Sequence, residues 1–321
     1  MRLSVLGTAV LLALFSTQLC VAQDVYPARA IKLIVPFAPG GNTDVVGRLT
    51  AAYLQKALNV NVVVENRAGA GGITGTDAVA KSAPDGYTLC VCGIGPITVS
   101  PATEKLPYDP LKDLAPISLI NTNPLILVVN PSLEAKTAGD VAALSKRRPD
   151  GLSYGTVGAG GLMQFAAEIF RAKTGSNFTA VPYRGGALAT AAVVAGEVHL
   201  AFSNMSDAMA QMAAGTVRPM AITTARRNPQ TPEIPTLIEL GLVDYPVESW
   251  NGLFAPSGTP PAILERLAQI MGQMANDESH QKRMADIGSI AVANSPGEFS
   301  VMLREETDQW SKALRLIGLA K

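Results

Sequence analysis

The chain has 321 residues, 48% of them hydrophobic, with 26 basic and 26 acidic side chains and no long run of either sign. That is length enough for a large core divided into two lobes. It excludes the basic surface that nucleic-acid binding needs, and with only 5% aromatics an extended stacking platform is excluded too.

The first segment reads as an export signal. Met1-Arg2 is a short basic end, Leu3 to Phe15 an apolar stretch too short to span a bilayer, and Cys20-Val21-Ala22 a small-residue cleavage site. Residue 19 is leucine, which disfavours a lipoprotein signal, so cleavage is expected after Ala22. No later segment is long and apolar enough to cross a membrane, and the product is expected to be exported and soluble.

Ile31 to Val35 has the composition of a buried strand. A Pro- and Gly-rich bend, Pro36 to Gly41, leads to Asn42 and Thr43, which offer capping side chains ahead of Asp44 and an apolar-periodic helix. Strand, glycine turn and helix start aim unpaired N–H groups, and the positive end of a helix dipole, at one point. That geometry suits an anion. Asp44 is itself favoured in a first helical turn, and it is placed to orient neighbouring amides.

Val60 to Glu65 reads as a second strand, followed by the turn Gly69 to Gly72, a helix from Ile73 to Lys81 and a third strand from Tyr87 to Cys92. This βαβαβ spacing predicts a parallel sheet. Cys90 and Cys92 lie one residue apart in that strand; bridging them would strain the backbone, so two small buried thiols are expected. Leu114 to Thr122 and Leu125 to Val129 read as separate strands divided by Pro124.

A second α/β set follows. It comprises a helix capped by Thr137 and Asp140, a strand at Leu152 to Thr156, a turn at Gly158 to Gly161, and a helix from Leu162. Next come a strand at Asn177 to Pro182, the turn Arg184-Gly185-Gly186, an alanine-rich helix, and strands at Val198 to Phe202 and Pro219 to Thr223. A strand at Glu248 to Phe254 returns to the first lobe, and helices at Pro261 to Ala275, Ser279 to Ile287 and Ser295 to Leu316 end the chain. The chain thus crosses between lobes near Pro124 and near Pro246, and two crossings make a hinge.

Open α/β sheets bind ligands beyond the carboxyl ends of their strands, where the glycine turns lie. Gly40-Gly41 and Gly158 to Gly161 lead straight into helix amino ends and are the better binding candidates; Gly69 to Gly72 serves either binding or close helix packing. Arg184 stands at a strand end beside a glycine turn, to hold a second carboxylate or to form a surface ion pair. No GxGxxG follows a strand, no GxxxxGK[ST] occurs and no metal-ligand spacing is present, so neither cofactor nor metal is expected. Gly151-Leu152-Ser153-Tyr154-Gly155 matches GxSxG, but Ser153 falls at a strand's start rather than at its turn. His199 and His280 are the candidate bases, and neither has an evident orienting carboxylate.

Several stretches together resemble the extracytoplasmic solute receptors of tripartite tricarboxylate transporters, the Bug family. They are Tyr26 to Arg48, Val62 to Gly72, Ala83 to Leu89, Leu106 to Leu119, Val181 to Gly186 and Leu253 to Pro260. The resemblance implies an α/β, two-lobed periplasmic-binding-protein fold of type II-like character, each lobe a mostly parallel sheet flanked by helices, joined by two crossover strands. The lobes would be residues 23–124 with 247–321, and 125–246. It implies a periplasmic, non-enzymatic, monomeric receptor that captures a small carboxylate between the lobes and hands it to integral-membrane transporter subunits.

The resemblance also implies that backbone amides of two loops, Phe37 to Asp44 and Thr156 to Gly161, hold the carboxylates. The expected site is therefore Phe37, Gly40, Gly41, Asn42, Thr43 and Asp44 on one side. On the other are Thr156, Gly158, Gly160, Gly161, Gln164, Tyr183, Arg184, Ser203 and Asn204. Gln164 stands where the family commonly has histidine, Ser203 where it often has an acid and His199 where aspartate is common. These changes remove charge near the cleft and point toward a plain or aromatic dicarboxylate rather than an amino or hydroxy acid. The alternatives are a secreted α/β-hydrolase using Ser153 and a ligand-dependent receptor for a membrane sensor.

Overall fold

The computed structural model describes residues 26–158 and 161–316; the expected signal segment, residues 1–22, lies outside them. The first unit is β1 (Ile31–Val35), α1 (Asn42–Leu58), β2 (Val62–Asn66), a single helical turn at Ala70–Gly72, α2 (Ile73–Ala80) and β3 (Thr88–Gly93). A π-helical turn at Gly95–Val99 and a short 3-10 turn then lead to β4 (Leu114–Val129). β1 pairs in parallel with β2 and β3, as the βαβαβ spacing predicts. Ile31, Leu33 and Val35 are fully buried under α1, whose Val46, Leu54 and Leu58 face the sheet. Each such side chain contributes roughly 1.5–3 kcal/mol of transfer free energy.

The second unit runs α3 (Ala138–Arg147), β5 (Leu152–Thr156), α4 (Leu162–Thr174), β6 (Phe178–Pro182), α5 (Gly186–Ala195), β7 (Leu200–Asn204), α6 (Met205–Ala213) and β8 (Arg218–Ile222). β5 pairs in parallel with β6 and β7. The chain closes with β9 (Glu248–Pro256), α7 (Pro261–Ala275), α8 (Glu278–Asp286), β10 (Ile290–Ala291) and α9 (Pro296–Leu316). α3 begins with the expected capping box between Thr137 and Asp140, and Ser295 and Glu298 bond reciprocally at the start of α9.

β4 is one continuous strand, where two strands divided by Pro124 were expected. Its first half lies between β9 and β10, and its second half between β7 and β8, all antiparallel. Proline is tolerated because it falls where β4 passes from one set of partners to the other. Pro124 pairs with Glu248, the first residue of β9, while Leu125 is the first to pair with β7. Leu125 donates its N–H to Thr223 Oγ1 at 3.2 Å, and that hydroxyl also lies against the carbonyls of Leu125 and Val247. One threonine thus fastens both segments that pass between the two halves. The sheets are mixed rather than mostly parallel: each keeps a parallel core, and the strands beside β4 run antiparallel to it.

Two further expectations change. Cys90 and Cys92 form a disulfide, with Cα atoms 5.4 Å apart, instead of standing as free thiols. α6 was not foreseen, because β7 turns into it at Asn204-Met205 with no glycine or proline to mark the boundary.

Candidate functional site

The amino ends of α1, α4, α5 and α6 meet in the crevice beyond the carboxyl ends of β1, β3, β5 and β7. A cavity of about 50 Å³ lies among them. On the first side it is lined by Phe37, Gly41, Asn42, Thr43, Gly71, Gly93, Ile94, Gly95 and Ser249. On the other it is lined by Val157, Gly161, Leu162, Met163, Gly186, Asn204 and Asp207, with Leu125 of β4 at its base.

The loop before α1 is built as a cradle. Gly40 has φ +88°, a conformation glycine adopts without strain. Gly41 is the N-cap in extended conformation, so Asn42 and Thr43 fall inside the first turn instead of capping it. Asn42 bonds across the crevice: its N–H donates to Asp207 Oδ1 at 2.7 Å and its Nδ2 to Ser206 Oγ at 2.8 Å. Its Oδ1 accepts from Asn251 Nδ2, whose other contact is Asn121 Oδ1. Ala38 N–H donates to the Arg184 carbonyl at 3.3 Å. The Phe37 ring packs against Gly72, where an added Cβ would come within 2.9 Å of Phe37 Cζ. In the Gly69 to Gly72 turn, Gly72 lets Phe37 pack closely and Gly71 lines the cavity.

Asp44 fixes this loop from behind. It accepts from Gly40 N–H at 2.9 Å, Arg48 Nε at 2.9 Å and Asn66 Nδ2 at 2.8 Å. Burial alone would raise its pKa, but the hydrogen bonds from Arg48, Gly40 and Asn66 outweigh burial and hold it below the ordinary value.

Asp207, in the first turn of α6, was missed by the sequence reading. The only available signal was an acidic residue three positions beyond a strand end. Its Oδ1 takes the Asn42 amide and its Oδ2 takes Asn204 Nδ2 at 3.2 Å. The side chain is half-buried, and desolvation of its carboxylate pushes the pKa up to about 6 against those two hydrogen bonds.

Of the expected residues, Phe37, Gly41, Asn42, Thr43, Gly161 and Asn204 line the cavity; Gly160 lies outside the described residues. Gly40 and Asp44 stand behind the cradle. Thr156 is buried at the end of β5, its hydroxyl without a partner among the described residues and its carbonyl accepting from Tyr183 N–H. Gly158, at φ +107°, faces Gly71 across the crevice. Gln164 sits in the first turn of α4, its N–H bonded to the Gly161 carbonyl. Tyr183 directs its hydroxyl to Glu197, and Arg184 is exposed, meeting the first side through its carbonyl. Ser203 is buried against Thr190 Oγ1 at 2.8 Å.

Ser153 and His199 do come together, with Oγ 2.8 Å from Nδ1, but at the start of β5, away from the cavity. The same Nδ1 accepts the Ser153 N–H, and burial with Arg148 nearby lowers the His199 pKa. No carboxylate bonds His199 among the described residues, and Ser153 lies within a paired strand. The pair caps a strand end. Among the described residues there is no metal-binding cluster and no helix long and apolar enough to cross a membrane.

Residues 46–319 match the tripartite tricarboxylate transporter family receptor, TctC. Protein BugT of Bordetella pertussis is 35% identical over 300 residues, covering 93% of this chain and 92% of that protein. Rpa4515 of R. palustris, solved with adipate, has a TM-score of 0.89 at 32% identity over 92% of this chain and 99% of that one. MatC of Rhodopseudomonas palustris, solved with bound malate, has a TM-score of 0.86 at 30% identity over 89% and 99%. The periplasmic binding protein BugD gives 0.88 at 30% identity over 92% and 100%. The fold is the α/β periplasmic-binding-protein fold, the structural neighbours are solute-binding proteins and not enzymes, and the chain belongs to the TctC, or Bug, family of periplasmic solute-binding receptors.

Proposed function

We propose that the protein captures a small carboxylate in the crevice between its two halves and delivers it to the membrane subunits of a tripartite tricarboxylate-type transporter. The observation that carries this reading is the convergence of four helix amino ends on one cavity. Free N–H groups and helix dipoles at such ends favour an anion without any lysine or arginine. Neighbours of the same fold carrying adipate and malate support the ligand class. The halves act as lobes, residues 23–124 with 247–321 and residues 125–246, and the expected site residues that line the cavity bind the ligand. The mature protein works in the periplasm as a monomer after cleavage behind Ala22.

Native mass spectrometry of the purified protein, followed by thermal melts with a carboxylate panel, tests the reading. A co-purified acid, or a melting rise worth about 2.7 kcal/mol at 100 times Kd, is the expected result. A panel of mono-, di- and tricarboxylates that leaves melting unchanged would overturn it.

A further inference from the structure

One wall of the cavity carries a carboxylate that no cationic side chain among the described residues faces. Asp207 presents its carboxylate there, and the groups around it are amides and a hydroxyl: Asn42 from α1, Asn204 before α6, and Ser206. No lysine, arginine or histidine lines the cavity among the described residues. Asn204 commits its Nδ2 to Asp207, and its Oδ1 is buried away from that carboxylate. The carboxylate lies close to the Gly186 backbone, where an added Cβ would collide with Asp207 Oδ2. A desolvated carboxylate that has hydrogen bonds but no countercharge stays costly unless something brings a cation.

The amino end of α1, the natural seat for a ligand carboxylate, already has this carboxylate on it. A second one brought alongside would meet like charge in a poorly solvated space.

We propose that Asp207 sets the specificity of the cleft by selecting a carboxylate ligand that also carries an ammonium or other cationic N–H group. The cationic group docks on Asp207, and the ligand carboxylate lies toward the amino end of α4 at Gly161 to Met163. The proposal rests on the receptor reading above. It reverses the sequence-based expectation of a plain dicarboxylate: the charge missing at Gln164, Ser203 and His199 returns at Asp207, one turn past the end of β7. The upward displacement of the Asp207 pKa toward 6 agrees with a carboxylate that is ionised at neutral pH but lacks a cation.

Titration calorimetry at pH 8 with matched probes tests it. Succinate, glutarate and adipate are compared with 4-aminobutyrate, 5-aminopentanoate and 6-aminohexanoate, and with the α-amino derivatives of the same diacids. The best amino-bearing probe should bind the wild type roughly tenfold or more tightly than its plain partner, the range of a charge-assisted hydrogen bond. Asp207→Asn should erase or invert that preference. Asp207→Ser serves as a second variant, and melting curves establish that each is folded. Equal or tighter binding of the plain acids by the wild type overturns the role of Asp207, as does a preference unchanged in the folded variants; either result leaves the receptor reading standing. If no carboxylate of either kind binds, both fall.

Discussion

Asp44 stands behind the loop that forms one side of the cavity and Asp207 lines the other, and their surroundings push their acidities in opposite directions. Asp44 has three donors and a low pKa; its charge is stabilised. Asp44→Ala would leave the Gly40 amide without its acceptor and Asn66 Nδ2 with only the Phe37 carbonyl, at roughly 1–3 kcal/mol. Urea unfolding should show that loss, with ligand affinity falling as the loop relaxes. Because the folded pKa of Asp44 lies below its unfolded value of about 3.9, its contribution is present above that pH and drains away as pH falls through the folded value. For Asp207 the direction reverses. With a folded pKa of about 6, the cost of its charge is absent below the unfolded value and builds as pH rises to about 6. Asp207→Asn should therefore raise the melting temperature at pH 8 and change it little at pH 4. An equal effect at both pH values would count against that account. Sequence showed Asp44 because a strand, a glycine turn and a helix start frame it. Asp207 was hidden because its position in a cavity wall depends on α5 and α1 being packed against it.

Among the elements, those bounded by glycine, proline or a capping box were legible to within a residue or two. β1, β5 and α7 match their expected bounds, and Thr137 and Asp140 form the expected pair of bonds. Thr137→Ala should cost about 1 kcal/mol, detectable in the melting of the whole chain. The unpunctuated junctions were not legible. α6 follows β7 without a break, and the π-helical turn at Gly95–Val99 depends on tertiary packing. Pro124 misled in the opposite direction, since a proline inside an apolar run normally divides it. It is accommodated because Thr223 supplies the bonds at that point. Thr223→Val should cost roughly 1–3 kcal/mol by removing the hydroxyl that serves Leu125 and Val247. If the two halves also move about this point, the variant should change the ligand dissociation rate in stopped-flow measurements.

At the scale of the molecule, the fold class was readable from the order of strand, glycine turn and helix, whereas the antiparallel additions to each sheet were not. Those pairings join residues far apart in sequence and leave no local pattern. Ligand-driven closure should shrink the radius of gyration measured by solution scattering; an unchanged profile with saturating ligand would mean the halves are already at their bound separation. The same long-range pairings bear on how the chain reaches its fold. β4 is the strand that both halves of the sheet share, yet Leu114 pairs with Pro256, Thr122 with Ile290 and Leu125 with Asn204. During synthesis the middle strand is made well before the segments that flank it. Until they arrive, its apolar second half, Leu125 to Val129, has no ladder on either side. Such non-local topology slows folding and leaves a sticky edge exposed in the interim. Refolding from urea should accordingly be slow, and the unfolded chain prone to self-association until those segments pair.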